Sequence, residues 1–110
     1  MTAIRFSRVD GAHATVVGAG TAAAGAAALV EATNFLTSET GQTAFILPAQ
    51  AQSGMVVKGG TVAALVYPST GGAINGASVN ASFSVTAAKT AIFTPLNDGT
   101  GLNWLATLSA

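Results

Sequence analysis

Short apolar runs that end at proline or glycine follow one another through the last two thirds of the chain, and this pattern constrains the fold more than any other feature. The runs occupy residues 43–47, 54–58, 61–67, 81–86, 90–94 and 102–109. Short strands separated by turn residues are typical of a β-sandwich or a β-barrel. We therefore predict a single all-β domain, a small sandwich or barrel of about seven or eight strands.

The segments between these runs predict how the strands connect. Residues 97–101 read Asn-Asp-Gly-Thr-Gly, and the Asp-Gly pair supplies the positive φ angles that a tight turn between two strands needs. The segment of residues 87–89 connects the runs 81–86 and 90–94, and it is short enough to predict a hairpin between them. Asn75-Gly76 predicts a further tight bend.

The first third of the chain is less decisive. Residues 12–32 are rich in alanine and glycine, which favours either one short helix or a loop, because Gly25 interrupts the alanines. Alanine contributes little to membrane insertion, so we expect no membrane span here. We divide the domain into a possible arm at residues 1–11, this segment, and a β-rich knob at residues 33–110.

The N-terminal segment combines apolar anchors with charge. Ile4 and Phe6 alternate with Arg5 and Ser7, which fits either an edge strand or an arm that reaches a neighbouring molecule. Arginine can pair with acidic groups while the apolar side chains fill a groove. We expect Met1 to about Gly11 to act as an attachment arm.

The shortage of charged residues indicates a chain that lives in an assembly. Only 7% of the residues are charged and the formal net charge is zero, whereas about 25% are charged in a typical soluble domain. A surface with so little charge promotes association. We expect an oligomer, and we expect no nucleic-acid binding because no cluster of Lys or Arg is present.

Catalytic, metal and cofactor sites are not expected. The chain has no cysteine, and His13 is its only histidine, so one subunit lacks the ligand set of a usual metal site. Gly18, Gly20 and Ala23 match a dinucleotide-binding turn, but that turn needs a following helix and an acidic residue at a strand end. Glu39 has the right spacing but lies in a predicted turn. We interpret these glycines as packing positions and the chain as a non-enzyme.

Tyr67 and Trp104 are the aromatic residues with polar groups, and two interpretations stay open for them. Buried rings would fill a core or an interface, as their positions within strand patterns favour. An exposed pair could instead stack on sugar rings.

From residue 41 onward the chain resembles small virion proteins of tailed bacteriophages that decorate the head or form short fibres. The resemblance is carried by residues 43–49 (TAFILPA), 64–76 (ALVYPSTGGAING), 80–85 (NASFSV) and 103–106 (NWLA). It implies a β-rich homotrimer without catalytic residues that sits on the major capsid protein at the exterior of the virion. The expected function is capsid decoration, as a cement protein; the alternative is a carbohydrate-binding head-fibre or tail-fibre module.

Overall fold

The computed structural model describes residues 13–49 and 54–110, and this part of the chain forms nine strands and no helix. The strands are β1 (His13–Val17), β2 (Ala27–Ala28), β3 (Thr33–Thr37), β4 (Ala44–Ile46), β5 (Met55–Lys58), β6 (Ala64–Tyr67), β7 (Phe83–Val85), β8 (Thr90–Pro95) and β9 (Trp104–Leu108). The all-β class is thus confirmed. The expected arm at residues 1–11 lies outside the described residues.

The strands form two mixed sheets. The five-stranded sheet has the order β1-β3-β5-β8-β9, and the four-stranded sheet has the order β2-β4-β6-β7. In each sheet the first three strands are parallel and the later strands are antiparallel to their neighbours. Neither sheet closes on itself, so each keeps two edges.

The first six strands alternate between the two sheets, so the chain follows a winding path of three turns. In the five-stranded sheet His13 lies beside Thr33, and Thr33 lies beside Val56, which are steps of 20 and 23 residues. In the other sheet the alignment of residue 27 with 45 and of residue 45 with 66 gives steps of 18 and 21 residues. Each turn therefore places one strand in each sheet directly above the previous turn.

The alanine-rich segment belongs to the first of these turns, and the expectation of a short helix there is wrong. Residues 13–17 and 27–28 are strands β1 and β2. Pairing with β3 and β4 outweighs the helix propensity of alanine, which is a weak preference that tertiary contacts override. Gly20 and Gly25, with φ angles of 65° and 84°, bend the chain between the two strands.

One hydrophobic cluster joins the two sheets. It contains buried side chains from both, and its members are Leu29, Leu36, Phe45, Leu47, Met55, Val57, Ala64, Val66, Ile74, Val85, Ala91, Phe93, Trp104 and Ala106. Phe83 of the four-stranded sheet meets Phe93 of the five-stranded sheet edge to face, with 5.6 Å between ring centroids. Each fully buried large apolar side chain contributes about 1.5–3 kcal/mol, so this cluster is the main stabilising contact between the sheets.

The predicted connections have different outcomes. Strands β8 and β9 pair antiparallel on either side of residues 97–101, as the Asp-Gly turn predicts. Asn75 and Gly76 have φ angles of 56° and 70° and form the expected tight bend. The predicted hairpin at residues 87–89 is wrong, because β7 and β8 lie in different sheets. The Lys89 N–H donates to the Thr86 carbonyl at 3.0 Å, and this turn leads the chain from the four-stranded sheet to the five-stranded sheet.

The bend at Asn75 also covers the edge of the five-stranded sheet at β9. Ile74 forms a parallel bridge with Trp104. The Asn75 side chain then continues the contact, because its amide nitrogen donates to the Ala106 carbonyl at 3.1 Å and its oxygen accepts from the Ala106 N–H at 2.8 Å. The outward main-chain groups of Trp104 and Ala106 are thereby bonded within the chain itself.

Candidate docking surface

The five-stranded sheet has one face turned away from the shared core, and we call this the outer face. Side chains alternate between buried and exposed along its strands. The outer face carries His13, Thr15, Val17, Thr33, Phe35, Thr37, Val56, Lys58, Thr90, Ile92, Thr94, Leu105 and Thr107. It is a broad surface formed by regular strands, which hold its side chains in fixed positions.

A stripe of apolar side chains crosses the middle of the outer face. Phe35, Val56, Ile92 and Leu105 belong to four neighbouring strands and are 46%, 36%, 50% and 48% exposed. Val56 lies directly opposite Ile92, and the other two lie on the diagonals, within reach across the sheet. We call these four residues the apolar stripe. A contiguous apolar patch with a polar rim is a candidate site for interaction with another molecule.

The surroundings of the apolar stripe are polar but nearly uncharged. Six threonines border it: Thr15, Thr33, Thr37, Thr90, Thr94 and Thr107. Among the described strands, Lys58 is the only charged residue. It is half-buried, and its ammonium lies 3.3 Å from the Gly59 carbonyl. A partner on the outer face would therefore need apolar groups and hydroxyls rather than complementary charge.

Sequence reasoning missed the apolar stripe because the usual pattern is reversed at β3. Asn34 is fully buried and Phe35 faces outward. The Asn34 amide nitrogen donates to the Glu31 carbonyl at 2.9 Å, which compensates part of the cost of burial. In β5 and β8 the runs Met-Val-Val and Ala-Ile-Phe are apolar on both faces. Such runs give no signal of which residues point into the core.

The two aromatic residues singled out in the sequence do not form an exposed pair. Trp104 is 1% exposed and belongs to the core. Tyr67 is half-buried at the end of β6, and its hydroxyl donates to the Thr21 carbonyl at 3.3 Å. The exposed aromatic contact lies elsewhere: His13 meets Phe35 edge to face on the outer face, with 6.3 Å between ring centroids.

In the dinucleotide-like motif Gly18 is a packing position, as expected, whereas Gly20 is required by its backbone conformation and has no atom within 4 Å of an added Cβ. A Cβ added at Gly18 would lie 2.2 Å from the Gln42 carbonyl oxygen, so only glycine fits this contact between successive turns of the path. No helix follows it within residues 13–49, although a dinucleotide turn requires one. Glu39 lies in a tight turn closed by the Gln42 N–H and the Glu39 carbonyl at 2.8 Å. Among the described residues no group of three or more His, Cys, Asp or Glu could hold a metal ion.

The loop between β8 and β9 is organised by Asp98. One carboxylate oxygen accepts from the Asn103 amide at 2.7 Å, and the other accepts from the hydroxyl and the N–H of Thr100 at 2.7 and 3.1 Å. These bonds lower the pKa of Asp98 from 3.8 to about 2. The bond from Asn103 has the largest effect, and the bonds from Thr100 come next. The opposite end of the Asn103 amide accepts from the Ala73 N–H at 2.9 Å, which ties the loop to the covered edge.

The lowered pKa of Asp98 gives a pH prediction. Because the pKa of Asp98 in the folded state lies below the ordinary value, the ionised carboxylate contributes to the stability of the fold. This contribution is fully present above about pH 3.8 and is lost as the pH falls through about 2. A carbon NMR titration of the Asp98 carboxyl should show a midpoint near 2 in the native chain. Thr100→Ala removes one donor and should raise that midpoint. A native midpoint near 4 would contradict the hydrogen-bonded loop.

Comparison of the chain with protein-family models, with curated proteins and with solved structures found no match. Within the described residues, there is no helix long and apolar enough to cross a membrane.

Proposed function

We propose that the chain is a structural protein of a bacteriophage virion, a capsid decoration or cement protein that binds the major capsid protein on the exterior of the head. Its work would be to add contacts between neighbouring shell subunits. The single observation that carries this proposal is the apolar stripe on a nearly uncharged outer face. Burial of apolar surface stabilises by about 25 cal/mol per Å², repeated at every copy on the shell.

The proposed role involves no catalytic step and no cofactor. Packing on a protein shell needs a rigid surface, and the outer face is formed by five hydrogen-bonded strands. We also propose that the two sheets behave as the layers of a small sandwich, since one hydrophobic cluster joins them. Self-association belongs to the proposal, and sedimentation of the purified chain tests the homotrimer that the resemblance implies.

The shell contact can be tested with heads that lack this protein. Val56→Lys places an ammonium in the centre of the apolar stripe, next to Ile92. A charge buried in a contact without a partner is costly, so we expect occupancy on the heads to need at least tenfold more protein. Occupancy is measured by pelleting heads with a labelled chain over a concentration series.

Val79→Lys is the matched control. Val79 is 62% exposed in a loop outside the outer face, so the same substitution there should leave occupancy unchanged. Circular dichroism should show that both variants keep the strand content of the native chain. Native occupancy of the Val56→Lys variant would contradict shell binding through the outer face.

The alternative function, a carbohydrate-binding fibre module, is favoured by one specific observation. The exposed ring of Phe35, with His13 beside it and threonines around it, offers a stacking face and hydroxyl groups. Under this alternative, Phe35→Ala would abolish binding of the chain to host-surface polysaccharide and leave head occupancy intact. Under the decoration proposal, the native chain shows no saturable binding to that polysaccharide.

A further inference from the structure

The four edges of the two sheets differ in how they are protected. The β9 edge is covered by Ile74 and Asn75. In the four-stranded sheet the edges are β2 and β7, which are only two and three residues long. Very short edge strands and covered edges are the usual means by which proteins prevent unwanted strand pairing. Within the described residues, β1 has neither protection.

Strand β1 has every property of an edge that accepts another strand. It is five residues long, reads His-Ala-Thr-Val-Val, and contains no proline, lysine or acidic residue. Gly18 directly follows β1, and its N–H donates to the Thr37 carbonyl of β3 at 2.9 Å. The main-chain groups of successive residues in a strand point alternately to its two sides, so every second residue from Gly18 backward also points toward β3. The N–H and C=O groups of His13, Thr15 and Val17 therefore point away from β3, toward the open edge.

We propose that the β1 edge pairs antiparallel with the β1 edge of a second copy of this chain, about a two-fold axis at Thr15. In this register the two Thr15 residues face each other, and His13 faces Val17 of the second copy. All three residues are exposed, so each exposed side chain of one copy lies beside an exposed side chain of the other. The half-buried Ala14 likewise faces Val16 of the second copy.

The register also suits the chemistry of the strand. The three facing pairs use the outward main-chain groups, and each pair exchanges two bonds, which gives about six new hydrogen bonds. Facing threonines are a favourable cross-strand pair, and no two charged groups meet. The pairing joins the two five-stranded sheets into one ten-stranded sheet, in which the outer faces are continuous.

A second copy is the occupant that the molecule itself favours. A two-fold contact uses the same surface on both copies and closes after two. Head-to-tail pairing of β9 with β1 is blocked at Trp104 and Ala106, whose outward main-chain groups are already bonded within the chain. The inference puts a two-fold dimer in place of the homotrimer that the resemblance implies, and it needs no head shell. Its failure on the purified chain would leave shell binding by the outer face untouched.

Cysteine crosslinking tests the register, because the chain has no native cysteine. Facing residues in a hydrogen-bonded antiparallel pair have Cα atoms about 5.5 Å apart, within the range of a disulfide. Thr15→Cys should form a disulfide-linked dimer under mild oxidation, at least tenfold faster than Thr107→Cys. Thr107 is the control because it is an exposed threonine of the same face at the opposite edge. Equal rates for the two variants would overturn the proposal.

Proline substitution tests the hydrogen bonds. Thr15→Pro removes an N–H that points to the open edge and leaves the ladder to β3 intact, a position where an edge strand tolerates proline. We expect the dimer dissociation constant from sedimentation to rise at least tenfold, and Thr15→Val to keep the native value. Unchanged association of a folded Thr15→Pro variant, or a native chain that sediments as a pure trimer or monomer, would overturn the proposal.

The preceding segment of the same chain is the competing occupant. Removal of residues 2–10 distinguishes the two, because a second copy should still crosslink through Thr15→Cys when that segment is missing. Hydrogen exchange gives an independent measurement. The Thr15 and Val17 amides should exchange faster on dilution of the native chain. Loss of the crosslink after removal of residues 2–10, or protection that does not depend on concentration, would assign the edge to the chain's own segment and overturn the proposal.

Discussion

Trp104→Ala is expected to lower the free energy of unfolding by about 3–5 kcal/mol, a large fraction of the roughly 5–15 kcal/mol that stabilises an ordinary domain. Trp104 is the largest side chain in the shared core and is 1% exposed. It starts β9 and carries the bridge to Ile74. The substitution therefore leaves a cavity beside the covered edge. Urea unfolding followed by circular dichroism measures the loss.

Two further variants separate burial from hydrogen bonding at this position. The Trp104 indole N–H is buried without a partner among the described residues, so Trp104→Phe removes volume but no hydrogen bond and should cost clearly less than alanine. Leu105→Ala is the exposure control, since Leu105 is adjacent in the chain and 48% exposed. It should change the free energy of unfolding by less than 1 kcal/mol. Equal costs for Trp104→Ala and Leu105→Ala would contradict the position of the core.

Gly18→Ala is expected to cost about 3 kcal/mol, at the upper end of what inserted atoms cost in a packed site. The new methyl group would lie 2.2 Å from the Gln42 carbonyl oxygen and 3.0 Å from the Phe45 ring. The close neighbour is backbone, which cannot rotate away, so the first turn of the path must move away from the second. Chemical denaturation gives the free energy, and hydrogen exchange of the β1 amides locates the disruption.

Gly20→Ala is the control for the effect of glycine itself. Gly20 has a φ of 65°, but no atom lies within 4 Å of an added Cβ. The expected cost is about 1 kcal/mol, from the left-handed conformation alone. A Gly20→Ala variant as unstable as Gly18→Ala would show that backbone conformation, and not close packing of the turns, explains the requirement at Gly18.

The strands beyond residue 43 were predictable because their signals are local. Each predicted run overlaps an observed strand, and Pro68 directly follows β6 as expected. The alternation around Phe83 and Val85 also puts Ser84 on the exposed side. Proline and glycine act on their own residues and neighbours, so their effects can be inferred without knowledge of the partner strands.

The first turn of the path and the outer face were not predictable, for a related reason. Strand β2 is two alanines, and only pairing with β4 makes it a strand. The connection at residues 87–89 resembles a hairpin locally, but its two strands belong to different sheets. Likewise, the outward position of Phe35 depends on the buried Asn34 beside it. These features depend on contacts distant in sequence, which composition and spacing do not encode.

The winding path has a consequence for how the length of such a molecule can change. Each turn contacts the turns next to it, so stability accumulates along the stack as in repeat proteins. An insertion of one whole turn, 18 to 23 residues by the observed steps, would keep every other pair in register and the covered end at β9 intact. An insertion of one residue within a strand would instead exchange its inner and outer faces. Related chains should therefore differ in length by complete turns, and a longer member would be a taller molecule with the same cross-section.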